Sequence, residues 1–309
     1  MWFVFTLIAT LCWGAADLYY KKGADKGDRY SHLKTGIMVG LVMGAHALVM
    51  LCVNGFDYDF RNLYIYLPVS LMYILSMTVG YFGLRYLLLS LSSPIQNTSG
   101  AVVFLLCVIF LGQRPDLPST LAVVLITAGV LLLGVLEYKA QARPTLAEDR
   151  KYRVGFWALL IPVVYCVIDA LGTFFDAYYL DSVAESPLLG VTAENIEFVA
   201  NTSYELTFLI GALALIVFLL IRKEPMPVRK QGNRGVAALF ETGGQVFYVY
   251  AMAANAVVAA PVVAAYCMVS VLLSRLFLKE KLTRWQYVSV GIVIAGIVFL
   301  GVLEGLSNK

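Results

Sequence analysis

The sequence predicts an all-α, polytopic membrane protein with ten transmembrane helices in two inverted five-helix repeats. Composition, the lengths of the apolar runs and an internal match carry that expectation. Of 309 residues, 60% are hydrophobic and 14% charged, against roughly 45–50% and 25% in soluble domains. The apolar residues gather in runs of about 18 to 24, enough for a helix to cross roughly 30 Å of hydrocarbon at 1.5 Å per residue. Shifted by 167 residues, the chain matches itself at 14 of 48 ungapped positions, 90–137 on 257–304.

The first run, 2–20, begins at Trp2 with no charged leader or small-residue cleavage site, so it reads as a retained helix rather than a signal peptide. The second, 35–53, carries Gly36, Gly40 and Gly44, a small residue every fourth position that predicts close helix packing. His46, in the same run, is expected to be a hydrogen-bonded packing group rather than a proton site. Run 64–86 ends at Arg85, which can snorkel to the interface, as can Arg275 four residues before Lys279. Run 94–111 opens on Pro94 and run 118–136 completes the first unit, 1–137. A basic segment, 138–154, precedes the second unit, 155–304, with runs 155–178, 198–221, 235–253, 258–278 and 285–304. Five cysteines (Cys12, Cys52, Cys107, Cys166, Cys267) lie inside the runs without a CxxC pair, which predicts packed thiols.

In the internal match Pro94 falls on Pro261, Phe110–Leu111 on Phe277–Leu278, Ala128–Gly129 on Ala295–Gly296, and GVLE at 134–137 on GVLE at 301–304. More loosely, Trp13 falls on Tyr165 and Asp17 on Asp169. Five spans per unit is odd, so the second unit must enter the membrane from the opposite side. Such repeats are characteristic of secondary transporters, whose site lies near the midplane where the repeats meet. Basic residues mark the cytoplasmic loops. Segments 21–34, 137–154 and 222–234 hold five each and 279–284 holds three, while the other face has only Arg61, Arg114 and Lys309. Both termini are therefore expected opposite the cytoplasm, in a plasma or bacterial inner membrane.

The five-plus-five pattern, Trp13–Gly14 in the first run, proline opening runs four and nine, and FLKEKLTRWQYVSVGIVIAGIVFLG at 277–301 resemble the drug/metabolite transporter superfamily, in its ten-helix, EamA-like branch. The resemblance implies solute transport by alternating access. It leaves the solute, the direction and the coupling ion open. Two departures stand out: Gln113 occupies the position of Glu280, and the loop charges put the termini outside the cytoplasm, where many members are thought to keep them inside.

An ionisable group at mid-bilayer costs roughly 2.5–3.5 kcal/mol on insertion scales, so it needs a partner, water or a function. Tyr165, Asp169, Gly172, Thr173 and Asp176 form one helical stripe, preceded by Pro162. Glu197, Asn201, Tyr204 and Glu205 form a second, approached by Glu194, which reads as solvated loop. Glu241, Gln245 and Tyr248 form a third. Trp13, Asp17, Tyr81, Tyr165, Asp169 and Asp176 of the first stripe, and the second and third stripes are the candidate solute-binding residues, and Pro94 and Pro261 the candidate hinges or helix starts. Asp17 has an alternative as an i,i+4 partner of Lys21. Tyr19 and Tyr20 read as interfacial decoration, and the glycosylation patterns at Asn97 and Asn201 as chance.

A deep region rich in acids and aromatics, with no permanent cation, favours a positively charged solute or protons. The expected ligand is an organic cation or amine. The alternative is a neutral sugar or amino acid carried with protons, in which case the acids bind hydroxyls and H+. No metal, cofactor or nucleic-acid partner is expected. No HExxH, GxSxG, GxGD or P-loop lysine motif is present, and Asp169 and Asp176 lie about 10 Å apart on one helix, too far to share a proton. An intramembrane enzyme or a non-transporting scaffold is the remote alternative. The oligomeric state is not legible.

Overall fold

A computed structural model describes residues 1–141 and 156–307. Every described element is helical, as the bilayer requires, since an unpaired backbone group in hydrocarbon costs several kcal/mol and a helix pairs its own. The helices are α1 (Trp2–Gly23), α2 (Ser31–Val53), α3 (Asn62–Ile65), α4 (Leu67–Gly83), α5 (Leu89–Gln96), α6 (Ser99–Phe110), α7 (Leu117–Gln141), α8 (Phe156–Leu180), α9 (Ile196–Ile221), α10 (Gly232–Ala264), α11 (Tyr266–Phe277) and α12 (Arg284–Ser307). Among the described residues eight helical stretches are long and apolar enough to cross a membrane, and α4 is a shorter apolar helix. The molecule is a polytopic membrane protein.

Several expected boundaries move. The third run is broken at Tyr66 into α3 and α4. Segment 138–154 does not begin as a loop, because α7 continues to Gln141, and its remainder lies outside the described residues. Neither Pro94 nor Pro261 opens a helix. Pro94 sits inside α5, whose extended N-cap is Leu88, and Pro261 sits inside α10, six residues after the non-helical Asn255. Each proline lacks the N–H that would bond back one turn, and the helix is interrupted just beyond it. After Pro94, Thr98 N bonds Ile95 O and Ala101 N bonds Thr98 O. After Pro261, Ala265 N bonds Val262 O and Met268 N bonds Ala265 O. These tight i to i+3 turns divide α5 from α6 and α10 from α11.

The 46-residue stretch Gly232–Phe277 would measure about 70 Å if straight, more than twice the hydrocarbon thickness. It doubles back at Asn255. Its start packs Arg234 on Gly23, and its end brings Phe277 to 5.0 Å from Lys22 Nζ, so both ends meet the C-terminus of α1. At that same end Arg85, 5% exposed, donates to the carbonyls of Asp25, Lys26 and Arg29. It holds the loop by its backbone instead of snorkelling. Arg275 is exposed. At the opposite end burial pushes the Tyr58 phenol up to about 12, and its hydroxyl shares a 2.7 Å hydrogen bond with Ser203.

The most extensive packing is α1 along α10, α2 along α9, α7 along α12 and α4 along α8. Glycine permits it. A Cβ on Gly40 would stand 2.3 Å from the Phe208 carbonyl oxygen, and one on Gly44 2.6 Å from Leu209. At the same α2–α9 seam His46 Nδ1 lies 2.7 Å from Glu205 Oε2.

Candidate functional site

The helix interruptions matter because they aim side chains at one cavity in the middle of the bundle. It is enclosed by α1, α4, α5, α6, α8, α9, α10 and α11. The turn after Pro94 presents Gln96, Asn97 and Ser99 to it, and the turn after Pro261 presents Val263, Ala264 and Tyr266. Three carboxyls share the cavity: Asp17 from α1, Asp169 from α8 and Glu241 from α10. Among the described residues no lysine, arginine or histidine lines it.

Each carboxyl is held by hydroxyls. Asp17 Oδ2 accepts from Ser93 Oγ and Ser270 Oγ, both at 2.6 Å. Lys21 instead reaches the carbonyls of Leu84 and Leu87, so the geometry does not bring Asp17 and Lys21 together as an i,i+4 pair. Asp169 Oδ2 accepts from Ser99 Oγ at 2.8 Å. Tyr20 OH donates to Glu241 Oε2 at 3.1 Å, and Trp13 Nε1 donates to the Glu241 carbonyl oxygen at 3.3 Å. None of these carboxyls makes a salt bridge among the described residues. They are acceptors held in place by uncharged donors.

Aromatic rings close the walls. Trp13 packs on Tyr248 at 4.9 Å between centroids and edge-on to Tyr266 at 5.8 Å. Tyr20 and Tyr81 are 4.6 Å apart, and Tyr73 and Tyr204 are 5.5 Å apart. Two rings lie against glycine, where no larger residue fits: Trp13 over Gly244 and Tyr165 over Gly80. The space open to the centres of water-sized spheres is about 70 Å³. Since roughly 10–15 Å³ on that measure holds one water, a handful of waters fits here. A larger solute requires the rings to part.

Of the candidate residues read from the sequence, Trp13, Asp17, Tyr81, Tyr165, Asp169, Tyr204, Glu241, Gln245 and Tyr248 line this cavity. Four do not. Asp176 is buried behind the wall, where Tyr66 OH donates to it. Glu205 faces α2 and His46. Asn201 is buried with its Oδ1 unpartnered, and Glu197 is half-buried at the start of α9. Glu194 is exposed. Pro94 and Pro261 act one turn before the lining residues rather than in the wall.

The structure adds Tyr20, Tyr73, Gln96, Asn97, Ser99, Thr173 and Tyr266. Tyr20 is 5% exposed and bonded to Glu241, so it does not decorate the interface. Asn97 and Ser99 belong to the cavity, and Asn201, Thr202 and Ser203 are buried, which leaves neither glycosylation pattern accessible. The sequence did hold a signal for the α5 group. The run SLSSPIQNTSG at 90–100 is dense in small polar residues inside an otherwise apolar span.

No curated protein matches the sequence. A solved structure described as "Crystal structure of protein" superposes with a TM-score of 0.62 at 15% identity, covering 99% of this chain and 98% of that one. At that identity the likeness speaks for the fold alone. The model of the EamA-like transporter family matches residues 1–135 and 192–302, most of the helical framework and two of the three cavity carboxyls, Asp17 and Glu241. The chain belongs to the EamA-like transporter family.

Proposed function

We propose that the protein is a secondary-active carrier of a small organic cation or amine, working by alternating access, with Asp17, Asp169 and Glu241 supplying the negative charge. The observation that carries this reading is the cavity's composition: three carboxyls, seven tyrosines and a tryptophan, with no basic side chain. A protonated amine takes the unfilled acceptor positions on the carboxyls, and the ring faces contribute roughly 0.5–2 kcal/mol each. Trp13 and Tyr248 provide one such wall and Tyr20 and Tyr81 another.

Alternating access calls for two units that rock about a shared site. Ten crossings in two inverted repeats fit that need. The hairpin at Asn255 favours counting Gly232–Phe277 as two crossings, and the α3–α4 stretch as one. The repeat is favoured by reciprocal packing of α7 and α12. A Cβ on Gly129 would meet Val293 at 2.6 Å, and one on Gly296 would meet Ile126 at 2.7 Å. With a shift of 167, residue 129 becomes 296 and 126 becomes 293, so the two contacts exchange, as they must about a twofold axis. Trp13 over Gly244 and Tyr165 over Gly80 are a second exchanged pair. The basic loops 21–34, 222–234 and 279–284 belong to the cytoplasmic end in this reading. The chain acts without a cofactor, its partners being solute and lipid, and H+ is the candidate coupling ion.

The test is a melting-temperature panel on purified protein with amines, amino acids, sugars and nucleosides. A ligand at 100 times its Kd stabilises by about 2.7 kcal/mol. The expected result is a shift with an amine that Asp169→Asn abolishes. Shifts confined to sugars or other uncharged solutes would replace the cation reading by proton-coupled carriage of a neutral solute.

A further inference from the structure

Asp176 is the one acid of the α8 stripe that the cavity does not use. It is 1% exposed and belongs to no salt bridge among the described residues. Tyr66 OH donates to its Oδ1, while Oδ2 has no partner. The groups that face it are phenols from every neighbouring helix. Tyr66 and Tyr73 come from the α4 side, Tyr204 from α9 and Tyr248 from α10, with Asp169 two turns away on its own helix. Among the described residues no cation balances it, so a carboxylate there has a phenol donor but no counter-charge and is costly.

Tyrosines flank it on two sides. Toward the end of the bundle where α8 terminates, Tyr179 packs edge-on to Tyr66 at 5.3 Å and donates to the Ile65 carbonyl. Toward the cavity, the Tyr248 hydroxyl lies within reach of Asp176, and it shares a 2.8 Å hydrogen bond with Tyr73, which shares another with Thr173. Tyr248 and Tyr73 also line the cavity. The unpartnered Oδ2 is thus one hydroxyl away from the solute space.

We propose that Asp176 is a dedicated proton-binding site, gated from one membrane face by Tyr66 and Tyr179 and from the solute cavity by Tyr248 and Tyr73. The proton comes from water at the α8 C-terminal end and binds Oδ2, converting carboxylate to carboxylic acid. The new O–H donates to the Tyr248 oxygen. Tyr248 then turns its own hydrogen within the Tyr73–Thr173 chain, so occupancy of Asp176 is felt at the Trp13–Tyr248 wall. The coupling of this proton to solute movement rests on the transporter reading; the protonation itself does not.

Infrared difference spectroscopy on the full chain in lipid nanodiscs, stepped between acid and alkaline pH with no solute present, tests the site. The expected result is a titrating carboxylic-acid C=O band that disappears in Asp176→Asn and persists in Asp169→Asn and Glu241→Gln. In Tyr66→Phe, which keeps the acid but removes its donor, the same band moves to higher frequency. Asn preserves the shape of Asp176 and its acceptor for Tyr66, and Tyr66→Phe supplies a reading that does not depend on that variant folding. A spectrum unchanged by Asp176→Asn, or a band insensitive to Tyr66→Phe, overturns the assignment. Failure of every amine in the melting panel would leave it standing.

Discussion

Segments 88–116 and 255–283 share backbone turns and differ in chemistry. Each begins after an extended or non-helical residue, Leu88 or Asn255, and each carries proline six residues later. Each ends alike: Leu111 N and Gln113 N bond Cys107 O in one, and Leu278 N and Glu280 N bond Ser274 O in the other. Yet the first presents Gln96, Asn97 and Ser99 to the cavity, and the second presents Val263, Ala264 and Tyr266 at the matching positions. Both segments keep the proline and the tight turns that let a buried backbone change direction. Their linings differ: two amides and a hydroxyl in the first stand where two aliphatic groups and a phenol stand in the second.

The sharpest break of that comparison lies at the two ring-on-glycine contacts. A Cβ on Gly244 would stand 2.4 Å from Trp13 Cδ1, and one on Gly80 2.9 Å from the Tyr165 ring. Trp13 is pinned by Tyr248, Tyr266 and the Glu241 carbonyl, so it can move only into the cavity. Gly244→Ala should therefore lower amine affinity at least about tenfold and destabilise by roughly 2–3 kcal/mol, with Gly80→Ala nearer 1 kcal/mol. Ligand-induced melting shifts on the two variants measure both. Equal losses would mean that Trp13 relaxes as freely as Tyr165 and that the asymmetry does not reside in the rings.

The α7–α12 contact should respond symmetrically. Gly129→Ala and Gly296→Ala each force a methyl against a branched side chain at nearly the same distance, with a carbonyl oxygen at 3.2 Å or 3.3 Å behind it. Each should cost roughly 1–3 kcal/mol, and the two melting temperatures should agree to within about 0.5 kcal/mol in equivalent stability, the scatter expected of independent sites. A large gap between them would show that the reciprocity is geometric only.

What could be read beforehand follows from what leaves a trace in one dimension. Apolar run length is set by bilayer thickness, so the long apolar helices were legible, and a 167-residue shift lined up Pro94, Gly129 and GVLE with Pro261, Gly296 and the second GVLE. The acids stood out because charge is rare in such runs, and Asp17, Asp169 and Glu241 do share the cavity. Asp176 occupies the same stripe as Asp169 but lies behind the wall, since a helical stripe fixes a face and not the depth of what packs against it. Gln96, Asn97 and Ser99 were missed because uncharged polar residues near proline look like a helix start. A proline in the first turn is the common case, and nothing local distinguishes it from one six residues in.

The smallest expected effect is the most direct test of shared backbone. Gly112 and Lys279 lie 167 residues apart and share the left-handed conformation, φ +64° and +59°. Glycine takes that conformation without penalty, whereas a side chain costs roughly 1–2 kcal/mol there. A Cβ on Gly112 would meet nothing within 4 Å, so only the backbone term changes. Gly112→Ala should lower stability by about 1 kcal/mol and Lys279→Gly should raise it by a similar amount, partly offset by the greater freedom of glycine in the unfolded chain. The two melting temperatures should move in opposite directions, each by on the order of 2 °C. Because Lys279 also brings a charge to the basic face, Lys279→Ala separates the terms: it removes the charge and keeps the strain. If the gain comes from relieving φ, Lys279→Ala leaves the melting temperature near that of the parent, and only glycine raises it.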